Sequence, residues 1–107
     1  MMDSGLTQAD INRIKAAIKQ FPEIEDVFIF GSRAKGTYKK ASDVDLAIKG
    51  HTVTSETINR LSALLNEELP LPYFFDVVHY ESLSNQLLVE HIDRVGKPIT
   101  LFDKQST

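Results

Sequence analysis

The segment Asp43 to Lys49 alternates without interruption, with Val44, Leu46 and Ile48 on one side and Asp43, Asp45, Ala47 and Lys49 on the other. A period of two is that of a β-strand with one face packed and the other free. At about 3.3 Å per residue, Asp43 and Asp45 project from the same face with Cα atoms roughly 6.5 Å apart. The chain must therefore build a sheet that buries the Val44 side and leaves the acidic side for chemistry. The spacing of the two carboxylates suits a shared divalent metal.

Other segments of matching character surround this strand. Thr7 and Asp10 make a cap for a first helix, whose apolar positions Ile11, Ile14, Ala17 and Ile18 keep a helical period until Phe21-Pro22 stops it. Val27-Phe28-Ile29-Phe30 reads as a buried strand ending at Gly31, with a short helical turn from Ser32. A second long helix is capped near Thr54 or Ser55 and turns Ile58, Leu61, Leu64 and Leu65 inward. Pro70 and Pro72 break the chain before a third strand from about Tyr73 to His79. A last helix from Ser82 or Ser84 carries Leu87, Leu88, His91, Ile92 and Val95 and stops at Gly96, and 98–102 can add an edge strand. This order predicts an α/β (α+β) sandwich. Its small mixed sheet has helices packed on one face, and the other, catalytic face is partly open. The 107 residues suit a single domain over 1–107, with 103–107 frayed, and no repeat or linker marks a second one.

Composition narrows the chemistry. With 42% hydrophobic and 25% charged residues the chain has the balance of an ordinary globular protein. The absence of cysteine removes disulfides, thiolate nucleophiles and Cys-based zinc sites. No apolar stretch approaches the roughly 20 residues needed to span a bilayer, and the start lacks the basic and apolar regions of a leader, so cytoplasm is the expected compartment. A net charge of −3 argues against general nucleic-acid binding. Locally, however, Arg33, Lys35, Lys39 and Lys40 cluster beside a Gly31-Ser32 turn. Such a turn can offer backbone N–H groups and the Ser32 hydroxyl to a phosphate.

Each feature alone is weak. Gly31 and Gly36 have the spacing of a Walker A loop, but Thr37-Tyr38 stand where that motif needs Lys and then Ser or Thr. An isolated Asp-x-Asp reads as a solvated strand face. A third acid makes the combination specific: Asp76 lies in the apolar run Phe74-Phe75-Asp76-Val77-Val78, where an ionised carboxylate is costly unless something such as a metal compensates it. Phe74 and Val78 share its strand face, and apolar residues beside an open site suit a docking base or protein. His51, His79 and His91 show no metal-ligand spacing and read as surface or packing residues, as do Tyr73 and Tyr80.

Gly31-Ser32-Arg33-Ala34-Lys35-Gly36 followed by Ser42-Asp43-Val44-Asp45-Leu46 resembles the signature of DNA polymerase beta-like nucleotidyltransferases, and Asp76 fits their third acid. The resemblance runs from about Ile24 to Phe102, and the short chain is similar to the minimal nucleotidyltransferases that pair with a helical HEPN-domain protein. It implies that Asp43 and Asp45 hold two Mg²⁺ ions. Asp76 would ligate the ion nearest the acceptor and take a proton from its hydroxyl, while Gly31 and Ser32 hold the β- and γ-phosphates. Two such ions stabilise the attacking and leaving oxygens of a displacement at the α-phosphorus, and Arg33 and Lys35 can neutralise the departing pyrophosphate. The implied activity is transfer of an NMP, AMP from ATP, onto a hydroxyl. The expected acceptor is a tyrosine of a cognate HEPN toxin, which makes the chain an antitoxin within a hetero-oligomer. Two alternatives stay open: a subunit that modifies a small hydroxylated molecule, as aminoglycoside nucleotidyltransferases do, and a non-catalytic partner that neutralises a HEPN protein by binding. A core this small has little surface with which to enclose both nucleotide and acceptor, so a site completed by a partner is expected.

Overall fold

The computed structural model describes residues 5–36 and 43–99. Tyr38, Lys39, Lys40 and Ser42, most of the expected edge strand over 98–102 and the frayed end over 103–107 lie outside the described residues. The elements run α1 (Gln8–Ile18), β1 (Asp26–Phe30), α2 (Ser32–Lys35), β2 (Val44–Lys49), α3 (Ser55–Ala63), β3 (Phe75–His79), α4 (Gln86–Val95) and β4 (Lys97–Pro98). Among the described residues the strands form a mixed four-stranded sheet in the order β3-β2-β1-β4. β1 pairs antiparallel with β2 and with β4, and β2 pairs parallel with β3. That parallel pair needs a crossover, and α3 supplies it.

Alternation sorts the strands' side chains onto two layers. Val27 and Ile29 of β1, Val44, Leu46 and Ile48 of β2, and Phe75 of β3 face the main core. There they meet Ile14, Ala17 and Ile18 of α1 and Leu61 of α3, together with Leu65 just beyond it. Phe30 and Ala47 point the other way and are covered by Ile92 of α4, with Leu88 and Val95 alongside. The expected helical layer is thus α1 and α3. α4 lies instead across part of the acid-bearing face, because Leu88, Ile92 and Val95 form a stripe that Phe28, Phe30 and Val78 can bury. Leu87, on the same helix, lies outside that stripe and is 77% exposed. α4 also starts later than expected, at Gln86, because Asn85 caps it by accepting from the Leu87 and Leu88 amides and residues Tyr80–Ser82 form a 3₁₀ turn.

Two local devices set the position of β3. After α3 the chain continues as a π-helical turn, Leu64–Glu68, in which the Leu69 amide reaches the Leu64 carbonyl at 3.1 Å. This turn carries Asn66 up to the outer edge of the sheet. Its Oδ1 accepts the Phe75 N–H at 2.7 Å and its Nδ2 donates to the Phe75 carbonyl at 3.0 Å. Tyr73, just before β3, donates its hydroxyl to Asp10 Oδ2 at 2.7 Å. Asp10 and Thr7 also complete the α1 capping box, with the Asp10 amide on Thr7 Oγ1 at 3.0 Å and the Thr7 amide on Asp10 Oδ2 at 3.1 Å.

Asp10 is only 6% exposed. Burial pushes its pKa up, but the Tyr73 hydroxyl and the Thr7 amide and hydroxyl outweigh burial, and the net shift is downward. A carboxylate held below its ordinary value contributes stability above that value and loses it on acidification. Tyr73→Phe is expected to lower stability by about 1–2 kcal/mol at neutral pH, since it leaves a buried carboxylate short of one donor. The gap between variant and wild type should narrow as the pH falls below 3.8, the ordinary value for Asp10. Urea denaturation across that range measures both effects.

Candidate active site

The register of the sheet assembles the site. Asp45 is the direct neighbour of Phe30 on one side and of Asp76 on the other, and Val44 aligns with Phe75. Asp45 and Asp76 therefore stand side by side on adjacent strands, on the face opposite the main core. Asp43 sits two residues before Asp45, exposed, and its charge reaches Asp45. Gly31 follows Phe30, so the chain turns immediately beside Asp45.

Gly31 has φ +74° and ψ −154°, a conformation open to glycine and strained for other residues. A Cβ there would collide with Oδ2 of Asp45. Two separate demands thus select glycine: the backbone angle and the carboxylate against its Cα. Ser32 opens α2, whose single turn is closed by the Lys35 amide on the Gly31 carbonyl at 3.2 Å. Gly36, with φ +77°, ends it in the left-handed conformation.

The three acids differ in environment. Asp76 is exposed, because β3 is an edge strand and this part of the face is uncovered; the desolvation expected for it from its apolar neighbours falls on Asp45 instead. Burial raises the Asp45 pKa first, and the Asp76 and Asp43 charges add to it, to about 6. Among the described residues no group of three His, Asp or Glu side chains is gathered closely enough to hold an ion unaided. Mg²⁺ is commonly held by one or two carboxylates together with substrate phosphate oxygens, and Asp45 and Asp76 with Asp43 upstream fit that donor set.

The basic residues separate. Lys35 is exposed on α2. Arg33 is 1% exposed, and its guanidinium carbon lies 4.9 Å from the centroid of the Tyr73 ring. The structure thus places Arg33 within the packing between α2 and the start of β3, where sequence reasoning had it facing the phosphates. Arg33 and Lys35 are adjacent but for Ala34, so one short helical turn sends them to different sides.

His91 of α4 also belongs to the site, and spacing arguments passed over it. Its Nε2 accepts the Gly31 N–H at 3.2 Å, and its ring meets Phe30 edge to face with centroids 6.0 Å apart. Its place in the inward stripe of α4, beside Ile92, was the available signal. His79 serves the fold: its ring contacts the Gly50 carbonyl at 3.1 Å, Glu81 at 3.2 Å and Ser82 at 2.7 Å.

Known proteins share this fold. The family model described as polymerase beta, nucleotidyltransferase matches residues 12–105. A toxin–antitoxin structure with AMP-PNP superposes with a TM-score of 0.72 at 24% identity, over 88% of this chain and 75% of that one. A mutant of the MntA–HpeT toxin–antitoxin gives 0.69 at 20% identity over 87% and 74%. A tri-AMPylated Shewanella oneidensis HEPN toxin in complex with its MNT antitoxin gives 0.68 at 22% identity over 89% and 72%. These are likenesses of fold. No curated protein matches the chain.

Two outcomes are expected of the site itself. A carboxyl whose folded pKa is raised binds its proton more tightly in the folded chain, so it favours folding at low pH and loses that contribution as the pH rises through about 6. Metal-free wild type should therefore lose stability between about pH 4 and 7, and Asp45→Asn should flatten that slope; thermal melts over the range decide it. Gly31→Ala should abolish transfer, since it strains the turn and displaces the Asp45 carboxylate, while circular dichroism shows the fold retained.

Proposed function

The chain belongs to the polymerase beta nucleotidyltransferase family, and on that basis we propose that it moves AMP from ATP onto a hydroxyl of a HEPN-type partner protein. The observation that carries the reading is the pairing of Asp45 with Asp76, with the Gly31 turn set against the Asp45 carboxylate. Carboxylates placed together at the mouth of a phosphate turn are suited to holding a triphosphate through a bound cation and exposing its α-phosphorus. Asp43, Asp45 and Asp76 would hold Mg²⁺, which when bound neutralises phosphate charge and favours departure of pyrophosphate.

The chain's own groups divide the remaining work. Asp45, desolvated and fixed between β1 and β3, orients the nucleotide. Asp76, exposed on the edge strand, is the acid an incoming acceptor can reach, and it takes the proton from the acceptor hydroxyl. That oxygen bonds to the α-phosphorus as the bond from the α-phosphorus to its bridging oxygen breaks, and pyrophosphate leaves. Ser32 and Lys35 bind the departing phosphates. With Arg33 packed on Tyr73, its part is to hold α2 in place.

The protein acceptor is supported by the solved toxin–antitoxin structures of the same fold, one of them holding a tri-AMPylated HEPN toxin. It is also supported by Phe74, 60% exposed immediately before the strand that carries Asp76. Incubation of the chain with radiolabelled ATP, Mg²⁺ and the protein encoded beside it should place label on that protein. Label on a small hydroxylated molecule alone would indicate the aminoglycoside type, and tight binding without label a non-catalytic antitoxin. Asp45→Asn and Asp76→Asn should each reduce labelling at least about 10²-fold with the fold intact, whereas Lys35→Ala should raise the ATP concentration needed.

A further inference from the structure

The nucleotide turn is held by a residue that the family signature does not include. Gly31 is free of a side chain, so its peptide planes can rotate more readily than those of any other residue. Among the described residues the Lys35 amide holds the Gly31 carbonyl within α2, and a side chain from outside the turn holds the Gly31 amide: His91, 60 residues away on α4, accepts the Gly31 N–H at its Nε2. The imidazole is itself fixed. Ile92, 3% exposed, anchors α4 to Phe30 and Ala47, and the His91 ring stands at 78° to the Phe30 ring. Phe30, Gly31 and Asp45 are contiguous parts of one arrangement, since Phe30 is the strand partner of Asp45 and the Gly31 Cα abuts the Asp45 carboxylate.

We propose that His91 is the positioning residue of the nucleotide turn. A ring nitrogen that accepts an N–H carries no proton itself, so Nε2 holds the Gly31 amide and the ring's N–H is at Nδ1. The bond sets the direction in which Ser32 and α2 leave β1, and keeps the Gly31 backbone seated against Asp45. It also means that the Gly31 N–H is already used and is not offered to phosphate, so the Ser32 side chain carries the contact expected of the turn. The inference rests on the nucleotide-transfer reading and adds to it a residue from the opposite end of the chain.

The test uses the full chain with Mg²⁺ and AMP-PNP as the probe. Nitrogen-15 spectra of the histidine rings should show His91 with Nε2 unprotonated, and the same state after Mg²⁺ and AMP-PNP are added. By calorimetry His91→Phe, which keeps a flat ring and loses the acceptor, should bind the probe about tenfold more weakly. His91→Gln, whose amide oxygen can reach the same N–H, should come within about threefold of wild type. Thermal melts establish that both variants are folded at the assay temperature, and a purely structural role would lower affinity in both in step with their melting points. If wild type binds and His91→Phe binds equally well, or if Nε2 carries the proton, the positioning role is wrong while nucleotide transfer stands. If wild type takes up no probe at all, the nucleotide reading fails and the positioning role falls with it.

Discussion

The pairing of β2 with β3 in a single parallel register decides most of what this molecule is. It sets Val44 against Phe75 inside the main core and, one residue on, Asp45 against Asp76 on the other face. The two contacts have opposite signs. Apolar burial beneath Val44, Leu46, Ile48 and Phe75 favours the register, and like charges side by side oppose it. A slip of one residue would relieve the repulsion and turn the apolar set to water, which costs far more. The acids are held together by packing they do not touch.

The same logic explains which parts were readable from the chain. The strand alternation at 43–49, the capping boxes at Thr7 and Thr54 and the glycine turn are local patterns with local causes, and the structure has them where their chemistry requires. The position of α4 was not readable, since a stripe of Leu88, Ile92 and Val95 says that a helix buries one side and not which face of the sheet receives it. Nor was the state of Asp76. Apolar neighbours in sequence suggest burial, but neighbours in a strand point to the other face, and an edge position leaves the residue in water. The burial of Arg33 was not readable either: a basic residue beside a phosphate turn has two directions to take, and this one lies inward with its guanidinium over the Tyr73 ring.

Long-range side-chain contacts to backbone were the least visible features. The bond from the Gly31 amide to His91 spans 60 residues, and those between Asn66 and Phe75 span nine. No periodicity encodes them. Each places an element beside an acid. Asn66 and Tyr73 fix β3, and with it Asp76, while His91 holds the turn that abuts Asp45. Asp43 and Asp45 were singled out by their spacing and Asp76 by its apolar run, whereas the groups that aim them come from elements whose own patterns speak only of core and cap.

The Asn66 contact also has a consequence away from catalysis. Among the described strands β3 is the outer one beside β2, and an outer strand offers its free N–H and C=O groups to any extended chain that drifts alongside. At Phe75 both groups are already taken by one side-chain amide, which imitates the next strand without being one. Sheet growth by strand addition is blocked at that point. The edge beside Asp76 is thereby closed, at Phe75, to strand addition by copies of the same chain.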